Sequence, residues 1–283
     1  MNAPFRHILL ATEHSDFDRG AERFAFEMAR RCQMPLAGVL PIASNPEYEA
    51  VAPQLAAKAD AEAAVCLREL QTAATSAGIT FACEVRRGSE MDQEIVQEAR
   101  ARGTDLIVAR RRGKRGFFAK LLVGEMVSRV VAHAPCSVLL VPQASEWWSR
   151  KVLLALDPSG QAANQRFQVQ AAVGIAAECG LPLVALVVLG TPATDRAAGE
   201  LLLTMAREAA QAQGVPLETQ VREGKPFEQI IACAQASGAD LIVLGRHSGP
   251  LTGRAWLGST THKVIGLAER PVLVAIEKTE STA

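Results

Sequence analysis

The chain has 283 residues, of which 49% are hydrophobic and 21% charged, a composition too apolar for a disordered protein and a length that suits two domains. Thirty Lys and Arg balance thirty Asp and Glu, so no net charge attracts the molecule to nucleic acid or to an anionic membrane. The longest uncharged stretches, 130–145 and 179–194, contain proline and are too short for a membrane-spanning helix, which argues against a transmembrane protein.

Short apolar segments alternate with longer helical segments along the chain, which is typical of βαβ units around a parallel sheet covered on both faces. The strands predicted for the first half are 8–11, 36–40, 81–85, 106–109 and 138–141. The elements predicted for the second half are strands 152–156, 184–189, 218–222, 241–244 and 272–276 and helices 165–178, 195–213, 226–237 and 260–268. We therefore predict an α/β fold with two tandem doubly wound, Rossmann-like domains, each a five-stranded parallel sheet with about four helices.

The two halves repeat each other in sequence. Residues 7–15 resemble residues 151–159, from an apolar strand into an acidic residue and a serine. Further matches follow in the same order, namely 32–36 with 179–183, 103–109 with 238–244, and 137–140 with 271–274. The shared order indicates a duplication, and we place the first domain at 1–145 and the second at 150–283.

The segment between the halves, 142–150, is polar apart from Trp147 and Trp148, which we expect to pack the halves together. The apolar terminal strands 137–141 and 271–276 are expected at sheet edges, where unpaired backbone groups invite pairing. Because the chain contains both strands, they can pair with each other and form an internal pseudo-dimer. A homodimer of two such chains is a further possibility.

A glycine-rich loop follows the fourth strand of the second half. It begins at Gly245 and ends in Gly258, Ser259 and Thr260, immediately before a predicted helix. Glycines let backbone N–H groups curve around an anion, and a helix N-terminus adds free amides and a favourable dipole. The pattern predicts a phosphate-binding loop, although an ordinary βα loop with a helix cap has the same composition.

Asp157 follows the first strand of the second half, and Ser159 lies two residues later. A carboxylate at this end of the sheet can accept hydrogen bonds from a base amino group or a ribose hydroxyl bound in the same crevice. A turn followed by a helix cap is the alternative explanation. Together with the glycine-rich loop, Asp157 favours a nucleotide site in the second half.

These features resemble the universal stress protein family in its tandem, two-domain form, and the resemblance covers nearly the full chain. The family has a strand ending in an acidic residue closely followed by serine, a late G-x2-G-x9-G-[ST] loop and a final V-L-V-type strand. The matching residues are Asp157, Ser159, Gly245, Gly258 and Ser259. Ser248 stands where the second loop glycine belongs, and we expect Gly249 beside it to take that turn.

The resemblance implies that the second half binds an adenine nucleotide, with ATP as the first candidate. Binding with Mg²⁺ and binding without it both stay open. By analogy with the family, Asp157 contacts adenine, and Val188 and Leu189 at the end of the second strand pack around the base. The late loop, including Arg246 and Thr260, holds the ribose and the phosphates. In this family the terminal strand also forms dimers.

The first half departs from this pattern. Arg110 stands where the second half has Gly245, and Glu125 stands where it has Ser259, at the helix start. Glu13 retains an acidic residue after the first strand. A carboxylate within about 4 Å of a phosphate lowers the affinity by roughly two to three decades. We expect the first half to be degenerate as a nucleotide site, with Glu125 satisfying the helix N-terminus itself.

Basic residues cluster after the fourth strand of the first half, at Arg110, Arg111, Arg112, Lys114 and Arg115. Such a cluster could bind RNA, DNA or a polyphosphate. Aromatic residues do not alternate with the basic ones, although Phe117 and Phe118 follow them. A solvated basic loop is the more common outcome of this pattern, so nucleic-acid binding is not the expectation.

Other functional classes find little support in the sequence. It has no G-x-G-x-x-G after the first strand, no P-loop motif and no H-E-x-x-H, and only His247 among the histidines lies in the late loop.

Residues 1–16 lack the apolar segment of a signal peptide, so we expect a cytoplasmic protein. The six cysteines form no metal-binding pattern, and we expect reduced, buried thiols and no metal site.

The sequence therefore predicts a universal stress protein of the stress response whose second half binds an adenine nucleotide and whose first half is structural. We expect a binding and signalling module more than a catalyst, because only Arg246, His247 and Arg254 are candidates to act on a γ-phosphate. Two alternatives stay open: a slow ATP hydrolase that uses those residues, and a nucleotide-independent interaction scaffold that uses the basic loop at 110–115.

Overall fold

The computed structural model describes residues 4–111, 124–190, 196–246 and 257–278. The first half contains β1 (Ile8–Ala11), α1 (Arg19–Cys32), β2 (Leu36–Ala43), α2 (Pro46–Val51), α3 (Pro53–Ser76), β3 (Phe81–Gly88), α4 (Met91–Ala101), β4 (Leu106–Arg110), α5 (Glu125–His133) and β5 (Ser137–Val141). The second half contains β6 (Val152–Leu156), α6 (Ala162–Cys179), β7 (Leu183–Leu189), α7 (Arg196–Ala212), β8 (Leu217–Glu223), α8 (Pro226–Ser237), β9 (Leu241–Gly245), α9 (Ser259–Leu267) and β10 (Val272–Ala275).

The described strands form one ten-stranded sheet in the order β3-β2-β1-β4-β5-β10-β9-β6-β7-β8. Neighbouring strands within each half are parallel. The halves join where β5 and β10 pair antiparallel, with Leu139 opposite Leu273. The predicted α/β fold with two five-stranded parallel sheets is confirmed, and the two terminal strands pair with each other within the chain as expected.

The outer edges of the joint sheet are β3 and β8, whose side chains are mostly half-buried or exposed. Arg86 on β3 pairs with Glu94 and Glu98 of α4, at 2.9 Å each. Charged side chains on an edge strand disfavour pairing with another chain. Because β5 and β10 each already have a neighbour on both sides, a homodimer formed through them would require this pairing to break.

Helices cover both faces of the sheet, with α1, α3, α6 and α7 on one face and α4, α5, α8 and α9 on the other. Leu9 and Leu10 are adjacent in β1, fully buried, and belong to the opposite hydrophobic clusters. Burial on both faces explains why the strands are continuously apolar. None of the helices in the described ranges has both the length and the apolar composition needed to cross a lipid bilayer.

Most element bounds agree with the predicted ones to within a few residues. The differences in the first half are an additional helix and the longer strands β2 and β3, of which β3 ends at Gly88 rather than at residue 85. The short α2 precedes α3, so the described residues of this half contain one helix more than expected. Strand β2 continues past its predicted end at residue 40 to Ala43. Beyond Leu40 it pairs with β3 alone, and Pro41 is tolerated where a strand has only one neighbour.

The linker tryptophans pack the halves together, as expected. The rings of Trp147 and Trp148 stack at 4.4 Å, and both lie within 5.5 Å of the Phe24 ring in α1. Trp148 also donates from Nε1 to Cys179 Sγ, 3.4 Å away at the end of α6. The pair therefore bridges the first helix of each half.

Two arginines at matched positions of the repeat cap helices across the junction. Arg111, after β4, donates to the Ile265 carbonyl at 3.0 Å and to further carbonyls at the C-terminal end of α9. Arg246, after β9, donates to the Ala132 carbonyl at 2.9 Å and to further carbonyls at the C-terminal end of α5. Burial lowers the pKa of both guanidinium groups. Each half thus stabilises a helix end of the other.

All six cysteines are free thiols. Cys136 and Cys233 are buried, whereas Cys66 and Cys83 are half-buried. The expectation of buried thiols is wrong for Cys32 and Cys179, which are exposed because each is the last residue of a helix, α1 and α6 respectively.

Candidate functional site

A cavity of about 350 Å³ opens in the second half, beyond the carboxyl ends of β6, β7 and β9. The N-terminal ends of α6, α8 and α9 close its other sides. The predicted site residues that line it are Asp157, Ser159, Val188, Gly245, Arg246, Gly258, Ser259 and Thr260. Ser248 and Gly249, also predicted, lie outside the described residues.

Asp157 directly follows β6 and lies at the rim of this cavity. Its Oδ1 accepts hydrogen bonds from the backbone N–H and the hydroxyl of Ser159, at 2.9 and 2.7 Å. This turn orients the carboxylate, whose oxygens accept hydrogen bonds from amino or hydroxyl groups. The sequence offered two explanations for Asp157, a turn and a position at a ligand site. The structure shows Asp157 in a turn and at the rim of the cavity.

Two buried glutamines of α6, which were not predicted as site residues, also line the cavity. Gln165 donates to the backbone carbonyl of Asp157 at 2.5 Å, and Gln168 donates to that of Ala155 at 2.6 Å. Both bonds tie α6 to the end of β6. The available sequence signal was the i, i+3 spacing of two amides on the helix face that packs against the sheet.

Gly245 ends β9 beneath the Gln168 side chain. A β-carbon at this position would lie 2.9 Å from Gln168 Oε1, closer than normal side-chain contacts. The carbonyl of Gly245 accepts a hydrogen bond from the Thr261 hydroxyl at 3.2 Å, which ties β9 to α9. The absence of a side chain at residue 245 therefore leaves this part of the cavity open.

The first turn of α9 forms one wall of the cavity. Gly258 is the N-cap residue and makes no side-chain cap, and Ser259 and Thr260 follow with hydroxyl groups. The N–H groups of a helix's first turn have no acceptor within the helix, and the dipole makes this end attractive to anions. The wall can therefore receive a phosphate or another anionic group.

Arg246 lines the cavity, but its guanidinium reaches the end of α5 in the other half. It is the one Lys or Arg among the described residues that line the cavity. Because its Nη1 bonds to carbonyls at the end of α5, the guanidinium is directed to the other half, and the start of α9 contributes backbone amides and the helix dipole to the described walls.

The two predicted base-packing residues of β7 point to opposite faces of the sheet. Val188 lines the cavity, whereas Leu189 packs in the cluster on the other face, beneath Gly199 of α7. Successive side chains of a strand alternate between faces, so only one of two neighbours can reach the same ligand. The prediction that Leu189 packs around the base is therefore wrong. Ile230 of α8 lines the cavity and adds apolar surface instead.

The matching place in the first half is nearly filled, with a cavity of only about 20 Å³. Arg110 is buried there, and its guanidinium donates to Asp18 Oδ2 at 2.7 Å, to Ser15 Oγ at 2.9 Å and to Glu13. Glu13 and Ser15 match Asp157 and Ser159 of the second half. The residues that form an open rim in one half thus form an ion-paired cluster in the other.

Two expectations for the first half are wrong. Glu125 does not satisfy the start of α5, since its side chain is 81% exposed and pairs with Arg129 at 2.7 Å. Arg110 and Arg111 are not part of a solvated loop, because Arg110 is buried and Arg111 caps α9. The other basic residues, at 112, 114 and 115, lie outside the described residues.

The described chain has no cluster of three or more His, Cys, Asp or Glu side chains that could bind a metal ion. Asp157 is the one carboxylate among the described residues that line the large cavity. Mg²⁺ is commonly held by one or two carboxylates together with substrate phosphates and water. The described walls therefore fit Mg²⁺ only as an ion carried by a bound phosphate chain.

Known proteins resemble this chain in sequence over part of their length. Universal stress protein Slr1230 from Synechocystis sp. is 28% identical over 169 residues, which are 60% of this chain and 57% of that protein. Universal stress protein YxiE from Bacillus subtilis is 37% identical over 76 residues, 27% of this chain and 51% of that protein. The chain spans about half the length of the curated relatives it matches.

Solved structures share the fold over nearly the whole chain. A universal stress protein from Archaeoglobus fulgidus covers 97% of this chain and 99% of its own at a TM-score of 0.77 and 18% identity. A functionally unknown protein from Pseudomonas aeruginosa covers 97% and 94% at a TM-score of 0.71 and 21% identity. The model of the Universal stress protein family matches twice, at residues 4–142 and 149–275. This chain therefore belongs to the universal stress protein family, in its tandem arrangement.

Proposed function

We propose that this protein binds one adenine nucleotide per chain, in the cavity of its second half, and acts as a binding and signalling module. The observation that carries the proposal is the contrast at the matched ends of the fourth strands: about 350 Å³ of open space in the second half against about 20 Å³ in the first. Cavities of about 300–1,000 Å³ are typical of small-molecule sites. At this matched position of the repeat, the second half has the space for a nucleotide and the first half does not.

The chemistry of the cavity is distributed as a nucleotide requires. Asp157 offers acceptors for base amino or ribose hydroxyl groups at one side, and Val188 and Ile230 supply apolar surface for a planar ring. The start of α9 offers amides and hydroxyls for phosphate at another side. A base, a sugar and a phosphate would each meet a suitable surface.

ATP is the nucleotide that we propose first, with Mg²⁺ carried on its phosphates. Arg246 is the one Lys or Arg at the described walls, and its guanidinium bonds to the end of α5. Mg²⁺ would therefore neutralise phosphate charge that these walls do not neutralise. Comparison of ATP, ADP and AMP affinities with and without Mg²⁺ tests this. ATP binding should weaken when Mg²⁺ is removed, whereas AMP binding should not change.

Hydrolysis of ATP is the weaker candidate. The guanidinium of Arg246, one of three residues considered for γ-phosphate chemistry, bonds to the end of α5. His247 and Arg254, the other two, lie outside the described residues. Release of inorganic phosphate, followed over time, distinguishes an ATP hydrolase from a binding module. A binding module should release no phosphate, because ATP would bind and dissociate many times without being cleaved.

The binding proposal can be tested with a matched pair of variants. Asp157→Ala removes the acceptor at the cavity rim, and Glu13→Ala removes the matching carboxylate of the first half. In a titration of the full chain with fluorescent ATP, we expect D157A to weaken binding about tenfold or more and E13A to leave it unchanged. Equal effects of the two variants, or no ATP binding by the parent protein, would refute the proposal. The second result would favour the scaffold alternative.

A further inference from the structure

The repeat places two cysteines at matched positions, one in each half. Cys32 ends α1 and Cys179 ends α6, and each opens a matched segment, Cys-Gln-Met-Pro-Leu in the first half and Cys-Gly-Leu-Pro-Leu in the second. These two helices cover the same face of the sheet and lie on either side of the junction between the halves. The duplication therefore brings two equivalent thiols to the junction.

Both thiols are accessible and share one cavity. Of the six cysteines, only Cys32 and Cys179 are exposed. Both line an apolar cavity of about 60 Å³ between the halves, next to Trp147 and Trp148. The hydrogen bond from Trp148 Nε1 to Cys179 Sγ fixes one thiol at this wall. A small oxidant can reach the pair from solvent.

The electrostatic surroundings also connect the two thiols. Partial burial raises the pKa of both, and the Cys179 thiol together with Glu178 raises the pKa of Cys32 further. Arg31, stacked at 5.0 Å over the Trp147 ring, acts on both thiols in the opposite direction. One cation and one carboxylate thus lie within interaction distance of both sulfur atoms. At neutral pH both groups are mainly thiols, so we expect oxidation over minutes to hours rather than seconds.

We propose that Cys32 and Cys179 form an oxidation-sensitive pair, which a two-electron oxidant such as hydrogen peroxide converts into a disulfide between the two halves. One thiol, as its thiolate, attacks a peroxide oxygen and becomes a sulfenic acid, with release of one water. The second thiol attacks that sulfur, the S–S bond forms, and a second water leaves. Two thiols lose two electrons and two protons in total, and hydrogen peroxide becomes two waters.

The consequence of this bond is a covalent link across the junction. It would close a loop from position 32 to position 179, which is 148 residues with both cysteines counted. A long loop closed in the unfolded chain raises the stability of the folded one. We expect the thermal midpoint to rise by about 5 °C or more on oxidation and to return on reduction. The fluorescence of Trp147 and Trp148 should fall, because a disulfide beside an indole quenches it.

The experiment treats the full chain with hydrogen peroxide, blocks remaining thiols, and maps the peptides by mass spectrometry without reduction. We expect the free thiols to fall from six to four, with a single linked pair of peptides that contain Cys32 and Cys179. The yield should be independent of protein concentration, since the bond forms within one chain. Dithiothreitol should restore all six thiols.

The controls are Cys32→Ser and Cys179→Ser, each of which should remove the linked peptide and the rise in thermal midpoint. Cys66→Ser, at a half-buried thiol elsewhere on the fold, should retain both. Six thiols after treatment, a linked pair that involves another cysteine, links between chains, or a sulfinic acid at Cys32 without a disulfide would each overturn the proposal. The mapping of the unaltered chain is decisive even if a serine variant fails to fold.

Discussion

Arg110 and Gly245 occupy the same position of the repeat, at the end of the fourth strand in each half. Arg110 is buried and bonds to Asp18 and Glu13, and the space beyond it shrinks to about 20 Å³. Gly245 has no side chain, and about 350 Å³ stays open beside Gln168. A buried cation with two carboxylate partners is costly to open, so this one position commits the first half to a closed state.

The residue at the start of α9 determines whether this helix end can receive a phosphate. Ser259→Glu copies the residue that the first half carries at this place, Glu125. A carboxylate near a bound phosphate should weaken ATP binding about a hundredfold or more, while a negative charge at a helix N-terminus leaves the fold stable. Calorimetry should show this loss, with a thermal midpoint that stays within about 2 °C.

Ser259→Ala is the matched control, because it keeps the backbone amides and removes only the hydroxyl. It should lower the affinity by tenfold at most. If the glutamate variant binds ATP as well as the parent protein does, the phosphate does not lie at the start of α9.

The site could be predicted residue by residue only where a local pattern carries it. Asp157, Gly245 and Gly258 belong to a spaced motif, and all three line the cavity. Gln165 was not predicted, because its role depends on a bond to the distant end of β6. Leu189 was assigned together with Val188 by analogy with the family, but side chains alternate along a strand, and Leu189 packs on the other face of the sheet.

A second residue-scale feature is the cluster around His14, which has a positive φ of 53°. Its Nδ1 lies 2.9 Å from Glu22 Oε1, and its Nε2 lies 3.0 Å from Glu69 Oε2. Burial lowers the pKa of His14, but the hydrogen bonds and charges of the two glutamates outweigh it, and the pKa is raised above 6.5. The folded chain therefore favours the protonated imidazole.

The sign of the resulting pH dependence follows from this raised pKa. The stabilisation is fully present below the unfolded pKa of about 6.5 and is lost as the pH rises through the folded value. Between about pH 6 and 8.5, the thermal midpoint should fall by about 2 °C more in the parent than in His14→Asn. Asparagine tolerates the left-handed backbone at this position.

His133→Asn serves as the control for this titration, because His133 is exposed and its ring Nδ1 contacts the Arg129 carbonyl of its own helix rather than a carboxylate. Its pH dependence should match that of the parent. If His14→Asn keeps the full fall in thermal midpoint, the cluster does not hold a proton in the folded state.

At the scale of elements, α9 is held at both ends. Its first turn faces the cavity, and its last carbonyls accept hydrogen bonds from Arg111 of the first half. A cation at the C-terminal end complements the helix dipole and satisfies carbonyls that would otherwise lack donors. The closed half therefore supports the position of the helix that faces the proposed ligand.

Arg111→Met should consequently affect both stability and binding. Loss of the cap should lower the thermal midpoint by about 3–6 °C and weaken ATP binding about threefold to tenfold. Lys58→Met removes an exposed cation from α3 and should change neither property measurably. An Arg111→Met protein with unchanged thermal midpoint and affinity would show that the cap does not position α9.

Elements were predictable to different degrees for a physical reason. Strands such as β6 and helix α8 were predicted with their observed bounds, since apolar runs, proline and glycine mark them locally. The cap that Arg111 places on α9 spans more than 150 residues of sequence, so no local pattern contains it. For the same reason, Arg111 looked like part of a solvated basic cluster.

At the scale of the whole molecule, the antiparallel pairing of β5 with β10 sets the relation between the halves. Because the strands within each half are parallel, the carboxyl ends of the two half-sheets point in opposite directions. The open cavity and its nearly filled counterpart each lie at the carboxyl ends of their own strands, so they face opposite directions along the strand axis. The duplication predicted that these strands pair, while their antiparallel direction emerged only from the structure.

The stoichiometry of ATP binding to the full chain, first freed of any retained nucleotide, tests the central claim most directly. We predict one nucleotide per chain by calorimetry, and no measurable binding after Asp157→Ala is combined with Gly258→Asp. A stoichiometry near two would contradict the account. So would binding that survives the double variant and disappears when residues 110–112 are replaced, because the nucleotide would then lie in the first half.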